Sequence, residues 1–127
     1  MKSALPDDSQ ARKNVPMCTG LLDYFPAALA AVAECSRLSN EKHNPGEPMH
    51  HARGKSADHA DALVRHQVDR GKIDPDDGIR HSTKVAWRAL AQLQEELEAE
   101  GAPLARAARL PAKPPAEPQP HGVRLPS

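Results

Sequence analysis

The sequence predicts an all-α protein, a small helical bundle held between disordered N- and C-terminal tails. Three observations lead there. Apolar residues recur at intervals of three and four in three separate stretches, and no stretch alternates with period two. One Trp, one Tyr and one Phe leave a core of Ala, Leu and Val, residues that let helices pack closely. Of the 13 prolines, seven fall after residue 102, so the folding part is shorter than the chain.

The elements follow in order. Residues 1–14 are polar and aperiodic and read as a flexible arm. The first helix is expected from Tyr24 or Pro26, with Asp23 as cap and Pro26 tolerated in the first turn. Leu22, Phe25, Leu29, Val32 and Ser36 share one side of it, and "NPGEP" at 44–48 ends it. The second begins after "RGKS", with Ser56 as N-cap, and runs to about Arg70. Its apolar side carries Ala60, Leu63, Val64 and Val68, with Gln67 among them. "DPDDG" at 74–78 is a turn. The third runs from His81 to Glu100, with Ala86, Leu90, Leu93 and Leu97 as its core stripe and Gly101 as its stop. The domain therefore spans 15–101, and residues 102–127 form a Pro- and Ala-rich disordered tail.

Charge narrows the function classes. Seventeen basic and seventeen acidic residues cancel, which argues against non-specific nucleic-acid binding, since that needs a basic excess. No charged-then-apolar leader opens the chain, and no apolar run approaches the ~20 residues that span a bilayer. Cys18 and Cys35 lie outside any C-x-x-C pair and read as reduced thiols. The expectation is a cytoplasmic protein that binds neither membrane nor nucleic acid. Fewer than ninety folding residues make a small core, so a homodimer or a tetramer of dimers is expected.

The chemistry concentrates in "DHADALVRHQVD", residues 58–69. On a helix, Asp58, Asp61, Arg65 and Asp69 fall within about an 80° arc, with His66 at its border. Three carboxylates there repel one another. A solvated face explains them, and so does a divalent cation, for which carboxylates are the preferred ligands. Glu34 and Glu41, seven residues apart on the first helix, point in nearly one direction. They are either surface glutamates or the second half of a metal site.

Other motifs fail on spacing. "GKS" at 54–56 lacks the P-loop glycine five residues earlier, although Lys55 still precedes a helix N-terminus suited to phosphate. "DPDDG" is not an EF-hand loop, because Val85 stands where the bidentate Glu belongs. Seven histidines without paired cysteines or H-E-x-x-H do not make a zinc motif. His81, Lys84 and Arg88 form a cationic face that either meets solvent or grips a triphosphate.

"TGLLDYFPAALAAVAE", "NEKHNPGEPMHHARGKSADHADALVRHQVD" and "GIRHSTKVAWRALAQL", taken together over residues 12–98, resemble a phage-encoded family, the dATP/dGTP diphosphohydrolase N-terminal domain. That family is similar to the MazG-like all-α nucleotide pyrophosphohydrolases. The resemblance implies a MazG-like bundle and Mg²⁺- or Mn²⁺-dependent cleavage of a purine dNTP between its α and β phosphates. It also implies action in phage nucleotide metabolism, in the cytoplasm of an infected bacterium.

By position, Glu41 and His43 lie in the first motif, Lys55 and Asp58 in the second, Asp61, Arg65, His66 and Asp69 in the third, and His81 and Trp87 in the fourth. The expected roles are catalysis for Glu41, Arg65 and His66, and phosphate binding for His43, Asn44, Lys55, Arg65, His81 and Lys84. Glu34, Glu41, Asp58, Asp61 and Asp69 are the expected metal ligands. The MazG-like E-x-x-E and E-x-x-D pattern is altered: Glu34 and Glu41 are seven apart, and His66-Gln-Val-Asp69 fills the second position. The alternative is a non-catalytic helical protein that binds a phage or host partner.

Overall fold

The computed structural model describes residues 2–111. Its helices are α1 (Ser9–Lys13), α2 (Pro26–His43), α3 (His59–Val68) and α4 (His81–Ala99), with a π-turn at Cys18–Leu22. Two two-residue strands, β1 (His51–Ala52) and β2 (Ala108–Arg109), pair in parallel. The fold is all-α, as expected.

Helix boundaries follow local chemistry. Pro26 opens α2 at its first turn, as anticipated, but Phe25 is the N-cap, and Asp23 instead closes the π-turn. α3 starts at His59, two residues later than a Ser56 cap would place it. Ser56 Oγ donates to Asp58 Oδ1 (2.9 Å) rather than accepting from the helix. α4 ends at Ala99, where Gly101 adopts φ 110°, a conformation glycine takes without strain.

α3 and α4 form an antiparallel pair, and α2 packs on α4 as well; α2 and α3 do not touch. Ala62 (1% exposed) and Ala91 (6%) are the small residues that let α3 and α4 approach. The turn between them is drawn tight by Lys84, whose ammonium holds Asp74 (2.8 Å) and Asp77 (2.6 Å).

The faces of these helices are the reverse of the expected ones. Leu90, Leu93 and Leu97 are 49%, 51% and 45% exposed, and Val64 and Val68 also lie outside. Inward go His59, Ala62 and His66 on α3, and Trp87, Ala91, Glu95 and Glu98 on α4. The inward side of α4 lies roughly 130° round the helix from its leucine stripe. Polar residues tolerate this position because they are paired, chiefly Arg53 with Glu98, whose side chains are only 9% and 10% exposed.

The tails also need correction. The N-terminal arm contains α1, capped by Asp8 on the Ala11 N–H (2.9 Å), with no buried residue. Residues 102–111, expected to be disordered, turn back along the bundle. His51 and Arg53 N–H donate to the Ala107 and Arg109 carbonyls (2.8 and 2.7 Å), the Ala105 N–H donates to Glu98 (3.0 Å), and Arg109 pairs with Glu47 (3.3 Å). This strap extends the folded unit past 101. The rest of the expected tail, 112–127, lies outside the described residues.

Candidate functional site

A cleft of about 850 Å³ opens between the C-terminal half of α2, the 44–56 loop and the inward faces of α3 and α4, with Ala107 of the strap on its wall. Its cationic and imidazole side chains come from distant stretches: His43, Lys55, His59, His66, Lys84 and Arg88 all reach it. Loop 44–56 is anchored by buried Asn40, whose amide donates to the Glu47 carbonyl (2.9 Å) and accepts from Asn44 (3.2 Å). Trp87 stands in the wall, with its indole N–H on Ser36 Oγ (2.9 Å) and His51 edge-on at 4.9 Å.

A chain of polar groups runs beneath the cleft. Glu98 takes two bonds from Arg53 (2.7 and 2.8 Å), and Arg53 Nη1 donates to His51 Nδ1 (2.6 Å). His51 Nε2 and His59 Nε2 both face one oxygen of Glu95, at 3.9 and 2.9 Å. On the other side of its ring, His59 Nδ1 accepts from Arg88 Nη1 (3.0 Å), which also donates to Ser56 Oγ (3.0 Å). The Arg53 hydrogen bonds hold the Glu98 carboxyl at about 2 against the opposing effect of burial. Burial, and then the Arg53 charge, push the His51 imidazole down.

Of the residues expected to act, some meet at this cleft and some do not. His43, Asn44, Lys55, His66 and Lys84 line it. His66 Nδ1 contacts His81 Nδ1 at 2.9 Å, and burial, followed by the charges of Lys84 and His81, lowers its pKa. Lys84, expected to grip phosphate, already neutralises two carboxylates and holds Asp74 at about 2. Arg65 is exposed on the Asp58 carboxylate (3.2 Å), away from the cleft. Glu41 and Glu34 are exposed and share Arg37, at 2.9 and 3.9 Å.

The five expected metal ligands are not brought together in the single chain. Glu34 and Glu41 sit on α2, Asp58, Asp61 and Asp69 on or beside α3, and these two helices do not meet. Asp58 is bonded to Ser56 and Arg65, which lower its pKa, Asp61 is exposed, and Asp69 caps the α3 C-terminus. Among the described residues, the group with metal-ligand spacing is His51, His59 and Glu95, with ligand atoms within 4.8 Å of one another. Two imidazoles and one carboxylate are a poor donor set for Mg²⁺, which prefers oxygen.

Sequence reading missed His51, His59, Glu95, Arg53 and Glu98. The signal available was the i, i+3 pair Glu95/Glu98, which shares the Trp87/Ala91 face of α4. That side of α4 also carries Lys84 and Arg88, and the sequence left it open between solvent and a triphosphate.

Residues 6–103 match the family described as "dATP/dGTP diphosphohydrolase, N-terminal". The chain matches no curated protein and no solved structure. The match spans every helix of the bundle and all of the cleft except Ala107 of the strap. The chain belongs to the dATP/dGTP diphosphohydrolase N-terminal family.

Proposed function

We propose that the cleft binds a purine deoxynucleoside triphosphate, as its metal complex, and that the protein hydrolyses it to the monophosphate and pyrophosphate. The observation that carries this reading is the wall of the cleft. Lys55, Arg88, His43 and His66, drawn from four separate sequence blocks, converge beside Trp87, in a chain whose net charge is zero. A polyphosphate supplies the negative charge such a wall attracts, and an indole face suits a purine ring.

Arg88 and Lys55 would hold phosphate oxygens and stabilise the charge that develops on them. Water adds to the α-phosphorus, the bond to the α,β-bridging oxygen breaks, and that oxygen leaves with pyrophosphate. Dependence on Mg²⁺ or Mn²⁺ belongs to this reading. When bound, the ion would neutralise phosphate charge; within one chain the five carboxylates expected to hold it stay apart.

The exposed leucine stripe of α4 and the exposed valines of α3 support a homodimer or tetramer as the working form. We place the activity in nucleotide metabolism in the cytoplasm of a phage-infected bacterium. Incubation with each of the four dNTPs and Mg²⁺ or Mn²⁺ tests the reading. Pyrophosphate release from dGTP or dATP is expected. Its absence with both metals favours the alternative, a non-catalytic interaction protein.

A further inference from the structure

His51, His59 and Glu95 have the spacing of a metal site, but the groups behind the rings are wrong for one. Arg53 Nη1 lies 2.6 Å from His51 Nδ1, and Arg88 Nη1 lies 3.0 Å from His59 Nδ1. A guanidinium only donates, so each Nδ1 must accept, and each neutral ring carries its proton on Nε2. A metal on Nε2 would displace that proton and turn an Nδ1–H against the guanidinium. Metal-bound histidines instead offer their second N–H to an acceptor. His59 and Glu95 are therefore a hydrogen-bonded pair rather than metal ligands, with His51 beside them at 3.9 Å from Glu95.

Its geometry has a direction. Glu95 accepts the Nε2 proton of His59 at 2.9 Å, which leaves the Nδ1 lone pair to accept from Arg88. Both protein bonds of the Arg88 guanidinium, to His59 and to Ser56, use Nη1. Among the described residues, Nε and Nη2 make no hydrogen bond, and Arg88 lines the cleft. A guanidinium held by one nitrogen and open at two others can take a phosphate through two N–H groups with little ordering left to do.

We propose that His59 is a positioning residue: Glu95 fixes its tautomer, and its Nδ1 lone pair aims Arg88 into the cleft as the anchor for a phosphate chain. This rests on the triphosphate reading above.

Two substitutions separate the two ring nitrogens. His59→Asn keeps an acceptor near the Nδ1 position and loses the donor to Glu95. His59→Gln can keep a donor towards Glu95 and loses the acceptor for Arg88. Calorimetric titration of the full chain with inorganic pyrophosphate reads the result. Wild type and His59→Asn should bind within about threefold of each other, and His59→Gln should bind at least about tenfold more weakly. In an Arg88→Leu background, His59→Gln should cause no further loss, because its effect passes through that guanidinium.

Glu95 gives a second route should His59→Gln fail to fold. Glu95→Gln still accepts the Nε2 proton and should bind as wild type, whereas Glu95→Leu should weaken binding. Equal loss in Asn and Gln, or a Gln effect that persists without Arg88, overturns the positioning role while the site itself stands. A wild type that binds no pyrophosphate overturns the site as well.

Discussion

Replacing Glu98 by leucine strands the Arg53 guanidinium of a buried ion pair. The two side chains are 9% and 10% exposed and are joined by bonds of 2.7 and 2.8 Å. Glu98 also accepts from Gln94 (2.9 Å) and the Ala105 N–H (3.0 Å). Removing one partner of a buried pair costs about 3–5 kcal/mol, and slight exposure puts this pair at the lower end, at about 3 kcal/mol. At roughly 4 °C per kcal/mol for a domain of this size, the melting temperature should fall by on the order of 12 °C. Adding Arg53→Met to remove the stranded charge should recover at least half of that loss.

The pair also sets an acid limit. The folded Glu98 carboxyl titrates at about 2, below its ordinary 4.5, so its contribution is present above pH 4.5 and is lost as pH falls towards 2. Asp74, held at about 2 by Lys84, acts in the same direction below its ordinary 3.8. Wild-type stability should fall through that window, and Glu98→Leu should flatten the slope. Thermal melts by circular dichroism across pH 2–7 read both effects. A drop under about 4 °C for Glu98→Leu, the scale of an exposed pair, would refute the reasoning.

Three further outcomes follow from the same structure. A chain ending at Pro103 should melt lower and bind pyrophosphate more weakly than one ending at Pro111, because only the longer chain keeps the strap on His51, Arg53 and Glu98; equal melting would show that the strap adds nothing. Asp69→Asn removes a negative charge from the α3 C-terminus, so it should stabilise by about 0.3–1 kcal/mol, with the same gain in millimolar Mn²⁺; a gain confined to metal-free buffer would restore Asp69 as a ligand. Leu93→Glu, on the exposed stripe of α4, should lower the mass seen by light scattering without loss of helicity, and a wild-type monomer at micromolar concentration would remove the case for an oligomer.

Helices were legible in this sequence, and the sides they bury were not. Pro26, "NPGEP" and Gly101 act through local sterics, so they placed the ends of α2 and α4 correctly. The spacing of Leu90, Leu93 and Leu97 showed a helix with one apolar side. Periodicity does not say whether that side meets the chain's own core or another surface. The inward side of α4 carries Glu95 and Glu98, whose burial depends on partners 36 and 45 residues away, His59 and Arg53. Pairings at that distance leave no trace in local spacing.

The same reason explains the site. Lys55, His43, Asn44 and His66, each singled out in a distinctive motif, line the cleft. The carboxylate group was drawn by assuming that α2 and α3 pack on each other, whereas each packs on α4 and the cleft separates them. The strap went unread because Ala105–Arg109 has no periodicity. Its order comes from backbone bonds to His51 and Arg53 and from the Ala105 N–H on Glu98.

The central claim, that the cleft turns over a purine deoxynucleoside triphosphate, is met most directly by ³¹P NMR of dGTP with the full chain and Mg²⁺. The account predicts that the three triphosphate resonances give way to those of a monophosphate and pyrophosphate, and that Arg88→Leu slows this at least about a hundredfold at unchanged helicity. An unchanged dGTP spectrum with wild-type protein, or release of orthophosphate with a diphosphate left behind, would contradict it.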